Sequence, residues 1–217
     1  MEIEAKLNIP DEATFQRLLE AEGLAGFHLG SSTVADLYDQ YLDTASMALL
    51  AQGYGCRIRR QGTDYVATIK SMGGASGAIH RRSEHEVALQ DPLPPQDWPP
   101  GRTRDLVLHL CGNEPLTIIL EVTQTRHSRP LYTAEHTVAE LSLDRGQIVT
   151  GDAHRRAASF LLLEAELSNE GYENDLEKLV RELETVWRLA PERRSKFERG
   201  LALLGLKLPA TEEQTRS

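Results

Sequence analysis

Glu2, Glu4 and Lys6 alternate with Ile3, Ala5 and Leu7, and this alternation constrains the fold more than any other feature of the chain. Successive side chains of a strand point to opposite faces, so the three charges share one face and the three apolar groups the other. The pattern returns at Arg57 and Arg59, at Arg82, Glu84 and Glu86, and at Glu164 and Glu166. Like charges two residues apart on a strand lie ~7 Å apart and repel by roughly 2 kcal/mol at an effective dielectric of about 20. A solvated sheet face with salt bridges accommodates one such pair. Its recurrence along the chain points instead to a shared charged cavity that takes a polyanion and its metal ions.

At 217 residues the chain is long enough for one large domain, and 40% hydrophobic residues is ordinary for a soluble globular protein. No apolar run approaches the ~20 residues that span a bilayer, and no basic-then-apolar leader opens the sequence. Cys56 and Cys111 are the only cysteines, which suits reduced, buried thiols in the cytoplasm. A net charge of -9 and a pI near 5.3 argue against nucleic acid as the main partner. The expectation is a cytoplasmic protein acting on a small molecule, with neither a membrane nor nucleic acid as partner.

Period-two stretches predict strands over residues 2–8, 33–43, 55–61, 65–71, 79–89, 116–126, 134–144 and 159–167. Helices are expected after Pro10-Asp11, around 47–52, over 104–110, and as a C-terminal pair beginning near Asn174 and Lys196. A flexible loop is read at 73–77, a proline-rich surface connection at 91–101, and a turn at Asp144-Arg145-Gly146. The fold class that follows is α+β, a closed eight-stranded antiparallel barrel with flanking helices. One domain is expected over 1–208, with a polar, disordered tail at 209–217. Trp187 reads as exposed, which would suit a homodimer interface on the C-terminal helices, though packing on the barrel is the commoner outcome for such a pair.

With the charged faces turned inward, the cations are Lys6, Arg57, Arg59, Lys70, Arg82 and Arg126. Arginine's planar fork matches phosphate oxygens, and lysine adds a compact charge. Lys196, at a helix start after Ser195, is placed to cap the cavity mouth. The acids are Glu2, Glu4, Glu84, Glu86, Asp144, Glu164 and Glu166, with Glu140 on the same face as Asp144. Carboxylates are hard ligands suited to Mg²⁺ or Mn²⁺. The seven histidines show no metal-ligand spacing.

Glu2-Ile-Glu-Ala-Lys6 resembles the ExExK signature of the CYTH superfamily, also called triphosphate tunnel metalloenzymes. The likeness extends through Tyr41-Leu-Asp-Thr44, Cys56-Arg-Ile-Arg59, Ala67-Thr-Ile-Lys70 and Arg82-Ser-Glu-His-Glu86. It continues through Thr125-Arg126, Leu143-Asp-Arg-Gly146, Leu163-Glu-Ala-Glu-Leu167 and Ser195-Lys-Phe-Glu-Arg-Gly200. That resemblance implies a tunnel whose six cations bind triphosphate oxygens, while Glu2, Glu4, Asp144, Glu164 and Glu166 hold divalent metal or its water. Glu4, Lys6, Asp144 and Glu164 are the expected catalytic set, with Glu84, Glu86 and Glu140 as further tunnel acids. Gln124 and His85 depart from the common pattern.

The expected activity is metal-dependent hydrolysis of inorganic triphosphate to pyrophosphate and phosphate. Class IV adenylyl cyclase and thiamine triphosphatase are alternatives on the same fold, and a non-catalytic polyphosphate- or nucleotide-binding module is a third. Aromatic residues make up 6% of the chain, and no pair of them stands out in the sequence as a slot for adenine.

Overall fold

Alternating patterning produces long antiparallel strands, and helical spacing supplies the amphipathic helices that cover them. The computed structural model describes residues 1–72, 75–112 and 114–206. In chain order its elements are β1 (Glu2–Asn8), α1 (Glu12–Glu20), β2 (Gly23–Leu24), β3 (Phe27–Leu29), β4 (Thr33–Thr44) and α2 (Ala48–Ala51). Next come β5 (Tyr54–Gln61), β6 (Asp64–Ser71), β7 (Ala75–Ser76), β8 (Ile79–Arg82), β9 (Glu84–Leu89) and α3 (Arg102–Cys111). The last are β10 (Leu116–Tyr132), β11 (Thr137–Thr150), β12 (Ala157–Leu167), α4 (Glu173–Thr185), β13 (Ala190–Pro191) and α5 (Lys196–Leu204).

The expected closed eight-stranded barrel is not what forms. Among the described residues there is one sheet of thirteen strands, ordered β7-β8-β1-β12-β11-β10-β4-β5-β6-β9, with β13 on β1, β3 on β10 and β2 on β3. Its ladder does not close into a ring. The reason lies in the stretch expected to be a single strand from Ile79 to Leu89. It breaks at Ser83, so that β8 pairs with β1 while β9 pairs with β6. The two ends of the strand order are thus consecutive pieces of one segment. Side chains bridge where no ladder does: Lys70 on β6 reaches the Glu2 carboxylate on β1 at 2.9 and 3.0 Å.

The apolar faces pack outward under the helices. Ala5, Leu7, Leu141, Leu143, Leu163 and Ala165 meet Phe15 and Leu18 of α1 and Leu176, Leu179 and Leu183 of α4. Asp11 caps α1 by accepting from the Thr14 amide at 2.7 Å. A second cluster, with Cys56, Ile58, Ala67 and Ile69, packs against Val107 and Cys111 of α3. The third, with Leu120, Val122, Ile148, Phe160 and Leu162, holds Phe197 and Leu201 of α5. The two C-terminal helices therefore do not pair with one another, because each buries its stripe in a different cluster.

Two local expectations change, and the surface connection gains an anchor. β11 runs straight through Asp144-Arg145-Gly146, with Asp144 opposite Leu162 and Gly146 opposite Phe160. Gly146 serves close approach rather than a turn, since a Cβ there would lie 2.4 Å from the Thr123 carbonyl oxygen and 2.6 Å from Phe160. The 91–101 connection is anchored by Trp98, only 2% exposed within the second cluster. Trp187 is not exposed: it packs against the first cluster, with the Arg17 guanidinium 5.0 Å from its ring centroid. Gly73, Gly74 and the 209–217 tail lie outside the described residues.

Candidate active site

Strand register brings the charged faces together. Glu4 lies opposite Glu166 and Lys6 opposite Glu164, while Glu140 and Ser142 flank the same two acids from β11. Arg126 faces Asp144, Asp39 faces Arg59, Arg57 faces Thr68, Lys70 faces Glu84, and Glu2 faces Arg82. The result is one cavity of about 270 Å³. Lys6, Arg57, Arg59, Lys70, Arg82, Arg126 and Lys196 line it together with Glu2, Glu4, Glu84, Glu86, Glu140, Glu164 and Glu166. Of the residues singled out in the sequence, only Asp144 is not on the wall.

Asp144 sits behind it. Wholly buried, its carboxylate accepts from Arg126 Nε at 2.7 Å, from Arg126 Nη2 at 2.6 Å and from Lys196 Nζ at 2.7 Å. Lys196 also donates to Glu164 at 3.0 Å, and Lys6 donates to Glu4 at 2.7 Å with Glu164 at 3.6 Å. Burial disfavours every charge in this cluster, yet the pairings outweigh it. Lys6 is raised above its ordinary pKa by Glu4 and Glu164, and Glu164 is held well below its own by Lys196, Lys6 and Arg126. Lys6 and Glu164 are thereby held in their charged forms at neutral pH.

The opposite wall has its own anchor in Asp39, which has no exposed surface and takes Arg59 in a two-pronged pair at 2.7 and 2.8 Å. Arg57 stands 3.7 Å from the same carboxylate and donates to Thr68 at 3.2 Å, leaving its Nε buried without a partner. Lys70 joins Glu2 and Glu84, both at 2.9 Å. Burial, with Glu2 close by, pushes the Glu84 carboxyl up to about 8. Glu2 goes down despite its own burial, through Lys70. The shifts favour a protonated Glu84 beside an ionised Glu2 near neutral pH.

Polarity runs along the cavity. Lys6, Arg82 and Lys196 are deep, whereas Glu86, Glu140 and Glu166 are exposed at the rim. Neither Glu140 nor Glu166 has a cation within ion-pair distance among the described residues, and burial with the charges of Glu2, Glu4 and Glu140 raises the Glu166 pKa. The seven cations and seven carboxylates of the wall balance formally. A polyanion entering this space therefore needs further positive charge, and the crowded rim acids offer hard oxygen donors for it. A divalent cation fits that donor set, although no three His, Cys, Asp or Glu side chains among the described residues already converge as a metal site. Such ions take much of their coordination from water and phosphate oxygens.

Several wall residues escaped the sequence reading. Tyr41 on the wall and Asp39 behind it share the β4 face with Asp43, and the same period-two rule that found Arg57 and Arg59 would have found them. Thr68 and Ser142 are uncharged and gave no signal. Phe197, a member of the third apolar cluster, also lines the cavity, where it stacks on Tyr41 at 5.2 Å and 15°.

An antiparallel sheet wrapped around paired basic and acidic side chains is the architecture of a charged-cavity class of proteins. A sequence profile of the CYTH domain matches residues 1–201, and the chain belongs to that family. Solved structures agree on the fold. HpAC1 from Hippeastrum, described under an adenylyl cyclase name with a dominant triphosphatase activity, superposes with a TM-score of 0.66 at 19% identity, over 96% of this chain and 98% of its own. A Bacillus halodurans protein bearing an adenylate cyclase name gives 0.60 at 19% identity, over 92% and 96%. The Mimivirus capping enzyme triphosphatase gives 0.50 at 13%, over 86% and 89%. Among the described residues, no helix is long and apolar enough to cross a membrane.

Proposed function

We propose that the protein hydrolyses inorganic triphosphate to pyrophosphate and phosphate inside this cavity. The observation that carries the reading is that deep cations share the cavity with two rim carboxylates, Glu140 and Glu166, that lack counter-cations among the described residues. A binding module needs only the basic half. Arg57, Arg59, Lys70, Arg82, Arg126, Lys6 and Lys196 bind the phosphate chain and fix its register, which is most of what phosphoryl transfer asks of a protein. Water attacks the terminal phosphorus, the bridging P–O bond breaks with its electron pair leaving on pyrophosphate, and Lys6 and the deep arginines stabilise that charge. A divalent cation, Mg²⁺ or Mn²⁺, held by Glu2, Glu4, Glu166 and Glu164 with Glu140 nearby, would neutralise phosphate oxygens and acidify the attacking water. Glu84 and Glu86 position Lys70 and Arg57. Asp144, already saturated by Arg126 and Lys196, is read as the group that positions those two cations rather than as a metal ligand.

The relative described by a dominant triphosphatase activity supports hydrolysis over cyclisation. So does the Tyr41–Phe197 stack, because two aromatic rings in mutual contact leave no slot between them for a purine. Incubation with inorganic triphosphate, ATP and thiamine triphosphate in Mg²⁺ or Mn²⁺, followed by product chromatography, separates the candidates. Pyrophosphate and phosphate in equal yield from triphosphate is expected, and cyclic AMP as the main product would overturn the reading. Glu4→Gln should lower turnover by about a hundredfold or more while the protein still melts cooperatively. Unchanged turnover in that variant would remove Glu4 from the chemistry.

A further inference from the structure

His80 is wholly buried on β8, two residues before Arg82 and on the same face of the strand. Its Nδ1 lies 2.5 Å from Arg82 Nη2, and its Nε2 lies 2.8 Å from the backbone carbonyl of Glu192. A guanidinium only donates and a carbonyl only accepts, so both contacts are satisfied by one species: neutral imidazole with its proton on Nε2. We propose that His80 is a positioning residue, a strut that fixes the Arg82 guanidinium against the chain leading into α5.

The far end of the strut is well held. The Glu192 amide donates to the Lys6 carbonyl at 2.9 Å, and its carboxylate accepts from Asn8 Nδ2 at 3.1 Å and from the Arg194 amide at 2.9 Å. Three residues on, Ser195 and Glu198 form the capping box that starts α5 and carries Lys196 into the cavity. Glu198 also stands 3.8 Å from Arg82 Nη2. His80 thus ties two cavity cations on separate elements, Arg82 and Lys196, to one rigid segment. With Nη2 taken, Arg82 Nε remains buried and without a protein partner among the described residues. The charged groups facing the imidazole are Lys6 and Glu4 on β1, Arg82 on its own strand, and Glu192 and Glu198 on the segment beyond. Burial, then Lys6 and Arg82, lowers its pKa and keeps it neutral.

The consequence for substrate rests on Arg82 binding phosphate, as proposed above, so the test separates the two. Nitrogen NMR of the histidine-labelled protein reads the strut without substrate. A neutral ring protonated on Nε2 at pH 7 is expected, and the other tautomer or a charged ring would overturn the strut. Calorimetry with inorganic triphosphate then compares variants whose melting is cooperative. His80→Leu should weaken binding about tenfold, the worth of one hydrogen bond to a charged group. His80→Asn, which keeps an acceptor near Nδ1, should stay within about threefold of the parent protein. In an Arg82→Ala background His80→Leu should add almost nothing, since a group acting through Arg82 has then lost its target. Independent, multiplicative losses would overturn the proposal and leave His80 a packing residue. Wild-type protein that shows the Nε2–H signature yet binds no triphosphate would overturn the phosphate reading while the strut stands.

Discussion

Asp39 illustrates how much one buried carboxylate decides. It holds Arg59 through two hydrogen bonds and stands beside Arg57, so the basic wall owes its geometry to an acid that never touches the cavity. Burial alone would raise its pKa, but Arg57 and Arg59 bring it below the ordinary carboxylate value. A carboxylate depressed in the folded state contributes stability that is complete above its unfolded pKa, ~3.9, and is lost as pH falls through the folded value. Asp39→Asn should therefore cost about 3 kcal/mol near pH 7, where two arginines lose their counter-charge. The gap to the parent protein should narrow below about pH 4 as the parent's own Asp39 protonates. Urea denaturation at pH 7 and pH 3 checks this, and a gap that does not change with pH would refute it. The cations Arg57 and Arg59 were legible from alternation alone. Their orienting acid was equally so in principle, but the β4 motif drew attention to Tyr41–Thr44 and stopped short of residue 39.

Among the elements, β11 and α5 do most to shape the cavity. The Asp-Arg-Gly run of β11 has the composition of a turn, yet it forms the middle of a 14-residue strand. Local propensity loses there because Asp144 meets Arg126 and Lys196, while Gly146 admits the Thr123 backbone and the Phe160 ring. Gly146→Ala would place a Cβ 2.4 Å from a backbone oxygen, and overpacking of this kind costs about 1–3 kcal/mol. Thermal unfolding should show that loss, and a variant as stable as the parent would mean that β10 and β11 can separate at this point. α5 is anchored by its capping box and by Phe197, so Lys196 enters the cavity from a helix that belongs to the third apolar cluster. Capping was readable from Ser195 and Glu198; the depth to which Lys196 reaches was not.

For the molecule as a whole, the governing quantity is charge balance. Seven cations and seven carboxyl groups balance formally on the wall, and Glu140 and Glu166 at the rim lack counter-cations among the described residues, so triphosphate by itself meets repulsion where it enters. Divalent cation and triphosphate together should raise the melting temperature far more than either alone. At a concentration a hundred times Kd, a ligand adds about 2.7 kcal/mol, which is roughly 5–10 °C for a chain of this size. Differential scanning fluorimetry measures the shift, and equal shifts with and without the cation would contradict a metal-assisted site.

Alternation of charged and apolar side chains determined by itself which faces are polar and where most strands run. Those features are local, because the side-chain period of a strand is set by its own backbone. Only the tertiary structure decided that the segment around Ser83 divides between two neighbours and leaves the ladder open, that α4 and α5 part company, and that Asp144 lies behind the wall. Each of those outcomes depends on contacts between residues far apart in sequence, where burial and pairing outweigh local preference.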